Sequence, residues 1–89
     1  MEEIRDKLLQ LGFKNNEGSC YYEYEGKPCR EDEFVRIGIH IHNFNCYSFS
    51  ARRFVYIYSR IKMTLERCVM TVSKDELKSL MMHFHLDIE

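Results

Sequence analysis

Three runs of alternating residues between positions 34 and 61 constrain the fold of this 89-residue chain most strongly. The runs cover 34–42, 46–50 and 54–61, and apolar residues recur in them at every second position. Successive side chains of a β-strand point to opposite faces, so this period predicts three strands with one buried face each. The alternate side chains predicted to form the buried face are those of Val35, Ile37, Ile39, Ile41, Tyr47, Phe49, Val55 and Ile57. The side chains between them, predicted to form an open face, are those of Arg36, His40, His42, Cys46, Ser48, Ser50, Phe54, Tyr56, Tyr58 and Arg60.

The connections between these runs set the register of the predicted sheet. A three-residue hairpin loop at 43–45 would place Ile41 opposite Tyr47, so that apolar residues face each other across the strands. A shift by one residue would mix the two faces, which is costly when one face is buried. The same reasoning predicts a second turn at 51–53. The rows predicted across the open face are then His42–Cys46–Tyr58, His40–Ser48–Tyr56 and Gly38–Ser50–Phe54.

Both ends of the chain carry helix signals. Residues 2–11 have one apolar face at helical spacing, and Gly12 after them fits the left-handed C′ position of a Schellman cap. Near the other end, Ser73 and Glu76 have the spacing of a capping box. The apolar stripe that follows comprises Leu77, Leu80, Met81 and Phe84.

Two further segments complete the predicted order of elements. Residues 20–25 alternate and predict another strand, whereas 62–72 combine helical spacing with a strand-like end. We therefore expect an irregular or helical piece there, followed by a short strand at 68–72. The whole predicts an α+β fold in the order α-β-β-β-β-(β)-α, with an antiparallel sheet of four to five strands. The N- and C-terminal helices would pack on one sheet face, and residues 1–89 would form a single domain.

Charge and composition exclude several classes of protein. The chain has 13 basic and 14 acidic residues, so its net charge of −1 gives no global field that would attract nucleic acid. Its first residues are charged, unlike a secretory signal, and no apolar run approaches the roughly 18 residues of a membrane span. We therefore expect a cytoplasmic protein whose four cysteines are free thiols, and no cofactor.

The predicted open face is the candidate site for a macromolecular partner, because aromatic and histidine side chains cluster on it. Such side chains combine large rigid surfaces with hydrogen-bonding tips, which is typical of the centres of interfaces. We expect a non-enzymatic interaction domain that binds a protein, or itself as a homodimer, and acts as a regulator or an inhibitor of the kind that phages and mobile elements encode. The residues expected to bind the partner are Tyr56, Tyr58, Phe54, Arg60, Arg53, His40 and His42.

Two alternatives remain open at this point. The first is a module for RNA or single-stranded nucleic acid, since cations interleave with aromatic residues along 53–62. The second is a zinc-binding domain, since two histidines on one strand can share a metal with a facing cysteine. The candidate ligands are His40, His42 and Cys46. The Cys46–His42 pair has no carboxylate placed to orient it, so we expect no enzyme.

Overall fold

The computed structural model describes residues 2–16, 18–27, 32–43, 45–57 and 60–88, with only the backbone described at 2, 3 and 65–70. In chain order its elements are α1 Glu2–Gln10, β1 Lys14–Asn15, β2 Tyr21–Gly26, β3 Glu33–Asn43, β4 Cys46–Ile57, β5 Arg60–Val72 and α2 Lys74–Met82. The predicted α+β class is confirmed, with helices at both ends, and the sheet is larger than expected.

The sheet has five strands in the order β1-β2-β3-β4-β5, and every neighbouring pair is antiparallel. Each strand therefore pairs with the strand that precedes it along the chain. The molecule is elongated, with principal extents of 43 × 23 × 21 Å. Neither helix in the described part of the chain has the length and apolar character needed to cross a membrane.

One face of the sheet forms the hydrophobic core together with both helices. Helix α1 contributes Ile4 and Leu8, and α2 contributes Leu77 and Met81. The sheet residues in the same cluster include Val35, Ile37, Ile39, Ile41, Tyr47, Phe49, Ala51 and Val72. The alternation therefore predicts the buried face correctly along β3 and the first half of β4. It is wrong at the end of β4, where Val55 is only half-buried and Ile57 is exposed, because the strand there extends beyond the core.

Both helix caps predicted from the sequence are confirmed. After α1, Gly12 has a φ of 101°, and the Phe13 N–H donates to the Leu8 carbonyl at 3.0 Å, as in a Schellman cap. Before α2, the Ser73 hydroxyl accepts from the Glu76 N–H at 3.3 Å. The Glu76 carboxylate in turn accepts from the Ser73 N–H at 3.3 Å, which completes the capping box.

The first predicted hairpin has the expected register with one difference at its end. Ile41 lies opposite Tyr47, as the 43–45 loop predicts. However, Asn43 belongs to β3 and lies opposite Cys46, with a register shift between Ile41 and Asn43. The predicted pairing of His42 with Cys46 is therefore wrong, since a bulge places one extra β3 residue against β4.

The predicted turn at 51–53 is wrong, because β4 runs without interruption through these residues. Ala51 is completely buried and lies opposite Ile37, and Arg52 lies opposite Arg36. The alternation of burial that starts at Tyr47 continues through Ala51, so the chain stays in the sheet. Residues 46–50 and 54–57 thus belong to one strand and do not face each other, which removes the predicted rows that joined them.

The partner of β4 on its other side is β5, where the sequence predicts an irregular or helical piece. That part of the prediction is wrong, since the whole of 62–72 is strand, and the short strand predicted at 68–72 forms the end of β5. The register between β4 and β5 shifts twice, between Tyr47 and Phe49 and between Arg53 and Phe54. Each shift breaks the period of two from which strands are recognised, and this explains why the segment does not look like one strand.

Candidate interaction surface

The sheet face opposite the core carries the even-numbered side chains of β3 and β4. At one end of this face the His40 and His42 rings stack with centroids 4.6 Å apart and planes 12° apart. The His42 Nε2 lies 2.6 Å from the Ser48 hydroxyl, and the Tyr21 ring lies 6.5 Å from the His40 ring. Both histidines are exposed, so this end offers a pair of stacked imidazoles to the solvent.

The three zinc ligands proposed from the sequence do not form one group, although His40 and His42 lie side by side. Cys46 is half-buried opposite Asn43, and His42 is hydrogen-bonded to Ser48. Within residues 2–16, 18–27, 32–43, 45–57 and 60–88, no group of three or more histidine, cysteine, aspartate or glutamate side chains could hold a metal ion.

In the middle of the face, the Tyr21 side chain packs against the backbone of Gly38, near the charged side chains of Glu23 and Arg52. At Gly38 a Cβ would clash with the Tyr21 hydroxyl and lie 3.0 Å from the Ser50 Oγ, so the tyrosine lies across the glycine. Burial raises the pKa of the Tyr21 phenol above its usual value, and the Glu23 carboxylate raises it further, while Arg52 opposes both effects. This packing fixes the Tyr21 ring beside the two central strands.

Arg36 connects the charged middle of the face to its aromatic end. Its Nε donates to the Glu25 carboxylate at 2.8 Å. Its guanidinium also lies 5.7 Å from the Phe34 ring centroid and 5.4 Å from that of Phe54. Those two rings stack with centroids 4.8 Å apart, and Tyr56 lies 5.6 Å from Phe34. The aromatic side chains therefore support one another across two strands.

The histidine end and the aromatic end are far apart. Tyr56 follows Val55, the last β4 residue paired with β3, and Val55 lies opposite Glu33. His40 is seven residues further along β3, which corresponds to about 23 Å at the usual rise of a strand. His40 lies opposite Ser48 as predicted, but Tyr56 does not belong to their row. The candidate residues therefore form two separate clusters.

The hairpin of β4 and β5 extends past the N-terminal end of β3 at Glu33, and it carries most of the exposed large apolar side chains of the described residues. We call residues 54–57 and 60–63 the hairpin tip. Its exposed fractions are 49% for Tyr56, 43% for Ile57, 59% for Ile61 and 46% for Met63. These are four of the six large hydrophobic side chains that are exposed within the described residues. The other two, Leu9 and Met82, lie on the helices.

The hairpin tip presents two different faces. Tyr56 lies opposite Ile61, and Phe54 lies opposite Met63, so these four side chains share one face. On the other face Ile57 lies opposite Arg60, and Val55 lies opposite Lys62. One face is thus apolar and aromatic, whereas the other is apolar and basic. Ile61 and Met63 are missing from the residues predicted to bind, although their alternation with Lys62 is visible in the sequence.

The other three residues predicted to bind the partner do not lie together. Arg60 is exposed at the hairpin tip. Arg53 lies on the core side of the sheet, with its Nε 3.8 Å from the Glu33 carboxylate and its guanidinium 5.5 Å from the Phe84 ring centroid, so it does not share a face with Phe54. Tyr58 lies outside the described residues.

Comparisons of the chain with family models, with curated proteins and with solved structures gave no match.

Proposed function

We propose that this chain is a non-enzymatic interaction domain that binds a protein through its hairpin tip. The observation that carries the proposal is the concentration of exposed large hydrophobic side chains there, four of the six within the described residues. Large contiguous apolar patches are uncommon on monomeric proteins and often mark binding sites, whereas scattered apolar side chains need no explanation. A domain of this kind would act as a regulator or an inhibitor by covering a surface of its partner.

The surroundings of the tip support its use as a preformed site. Phe54 is held by stacking on Phe34, and the Tyr56 N–H donates to the Asp32 carbonyl at 3.2 Å. The two strands of the tip remain paired as far as Ile57, which lies opposite Arg60. Side chains that are already ordered lose less conformational entropy on binding, so more of the burial energy appears as affinity.

The size of the expected effect follows from the exposed fractions. Fully burying an isoleucine, a methionine or a similar side chain stabilises by about 1.5–3 kcal/mol, so covering one that is half exposed gains about 1 kcal/mol. Tyr56 and Ile61 lie opposite each other and are the most exposed members of the apolar face. Removing both side chains is therefore expected to cost about 2–3 kcal/mol of binding, more if they occupy a pocket.

The proposal is tested by pull-down from the native cells with variants matched for exposure. Tyr56→Ala combined with Ile61→Ala is expected to abolish capture of the specific partner. Leu9→Ala combined with Met82→Ala is the control, because these side chains are 50% and 54% exposed on the helices. Circular dichroism would establish that both variants remain folded. Equal capture by the two double variants would contradict the proposal, and light scattering would reveal a homodimer that depends on the tip.

Single-stranded nucleic acid is the second candidate, because cations lie beside the aromatic rings. The Lys27 Nζ is 5.7 Å from the Tyr56 ring centroid, and the Arg36 guanidinium is beside Phe54. This arrangement also weakens the candidate, since base stacking requires open ring surfaces and Phe54 already contacts both Arg36 and Phe34. A fluorescent oligonucleotide titrated at low salt separates the two, because phosphate contacts are strongest there.

A further inference from the structure

We propose that the hairpin tip recognises an acidic, apolar protein surface, which names the chemistry of the partner and rests on the function proposed above. The side chains expected to contact its acidic groups are Arg60 and Lys62, both exposed. Those expected to enter its apolar part are Tyr56, Ile57 and Ile61, also exposed.

The first observation is the separation of charge along the chain. Residues 34–65 contain five basic residues and no acidic residue. The rest of the chain therefore holds all 14 acidic residues against eight of the 13 basic ones. Arg36 and Arg53 lie beside the Glu25 and Glu33 carboxylates. The basic residues that make the tip positive are therefore Arg60 and Lys62, with no acidic residue at 54–57 or 60–63. Potentials on interacting surfaces are complementary, so a basic site favours an acidic partner and disfavours a basic one.

The second observation is the geometry of the tip. Among the described residues, Glu33 opposite Val55 is the last strand pair between β3 and the hairpin, and the Tyr56 N–H bond to the Asp32 carbonyl follows it. Ile57 opposite Arg60 is the last described pair between β4 and β5. Exposed apolar side chains lie on both of its faces, with Ile61 on one and Ile57 on the other. A flat partner surface could cover only one of these faces. A concave surface that receives the tip as a finger would cover both.

The same observations disfavour the other occupants. A second copy bound by two-fold symmetry through the face of Tyr56 and Ile61 would leave Ile57, Arg60 and Lys62 uncovered on the other face of the tip. A head-to-tail arrangement that does not close would produce an open-ended assembly. A nucleic acid would match the charge, but three of the four exposed apolar side chains at the tip are aliphatic and offer no stacking surface.

The basic residues and the apolar residues are expected to act differently in binding. Exposed charges mainly speed association and make it depend on salt, whereas buried apolar anchors slow dissociation. Neutralising Arg60 and Lys62 should therefore lower the association rate and flatten its salt dependence. Truncating Ile61 should raise the dissociation rate with little effect on the salt dependence.

The test selects ligands from a library of random displayed peptides against the full chain. Peptides rich in aspartate and glutamate beside leucine, phenylalanine or tryptophan are expected. Their affinity, measured by fluorescence anisotropy, should fall about tenfold with Ile61→Ser. A second selection uses Arg60→Glu combined with Lys62→Glu and should reverse the preference to basic peptides. Lys7→Glu combined with Lys14→Glu makes the same change in net charge away from the tip and should leave the preference acidic.

The outcomes separate this inference from the proposed function. Peptides that depend on Tyr56 and Ile61 but show no acidic preference would overturn the inference and leave the interaction domain standing. Peptides insensitive to every tip variant would overturn both. Binding of single-stranded RNA or of phosphatidylserine vesicles that requires Ile61, with no acidic peptide selected, would assign the tip to those ligands and overturn the inference. Self-association that requires Ile61 would assign the tip to a second copy of the chain and would also overturn the inference.

Discussion

The turn that ends α2 places a histidine where the backbone is left-handed. His85 has a φ of 58°, and its N–H donates to the Met82 carbonyl at 3.0 Å. The next residue, Leu86, donates to the Met81 carbonyl at 3.2 Å. These two bonds define a Schellman arrangement with His85 at C′, a position that glycine usually occupies. Replacing His85 by glycine is therefore expected to stabilise the fold.

The magnitude follows from two opposing terms. A left-handed conformation costs an L-residue about 1–2 kcal/mol, which glycine avoids. Glycine loses about 0.5–1 kcal/mol more conformational entropy on folding. The His85 side chain is exposed, so its removal sacrifices little packing. His85→Gly should therefore raise the free energy of unfolding by about 0.5–1 kcal/mol, which corresponds to about 2–8 °C in Tm for a domain of this size.

A matched control lies two residues earlier. His83 is exposed as well, but its φ of −60° and ψ of −22° are right-handed helical. His83 caps α2 in a conformation that any L-residue adopts, so glycine there relieves no strain and only adds its larger loss of conformational entropy on folding, about 0.5–1 kcal/mol. His83→Gly should therefore destabilise where His85→Gly stabilises. Urea unfolding followed by circular dichroism measures both changes. A loss of stability in His85→Gly as large as that in His83→Gly would refute the reasoning.

Three further changes have expected outcomes that unfolding measurements can check. In Gly38→Ala the new methyl meets the Tyr21 hydroxyl, so we expect a loss of about 1–3 kcal/mol, which Tyr21→Phe should partly restore in the double variant; no coupling in that cycle would contradict the contact. Ser73→Ala removes the cap of α2 and should cost about 1 kcal/mol, whereas Ser79→Ala on the exposed side of the same helix should change stability by less than about 0.5 kcal/mol. Burial raises the pKa of the Tyr47 phenol in the folded protein, so the unfolded chain ionises first and stability should fall as pH rises above about 10. A Tyr47→Phe variant should show a shallower alkaline decline in its urea midpoint, and an identical slope would rule this contribution out.

The strand faces are predictable from the sequence because apolar alternation determines which side chains must leave water. Strand continuity is harder to predict, as Ala51 shows. Ala-Arg-Arg interrupts the apolar runs without containing glycine, proline, asparagine or aspartate, so it favours neither a turn nor a strand. Burial of Ala51 against the core decides in favour of one long strand. Local chemistry does define the helix ends, since the Ser73–Glu76 box and Gly12 require only neighbouring residues.

The candidate site is predictable only in part for the same reason. The alternation assigns Phe54 and Tyr56 to the open face, and their cross-strand contact with Phe34 agrees with it. The rows that bring His40 beside Tyr56 depend on the turn at 51–53, which does not form. The hairpin tip depends on where β3 ends relative to β4, a relation between distant residues that no local pattern encodes. Ile61 and Met63 therefore become part of the site only when β5 is paired with β4.

The sheet order has a consequence for how the chain reaches its native state. Each strand pairs with its predecessor, so successive hairpins close short loops, which favours rapid formation of the sheet. The core is completed later than the sheet, because Phe84, Leu86 and Ile88 belong to it and follow α2 in the chain. A nascent chain can thus complete all five strands, with α1 already present, while the part of the apolar face that α2 and the residues after it cover is still open. During synthesis that face depends on residues 74–88 for protection, and until they emerge it is the surface most prone to aggregation.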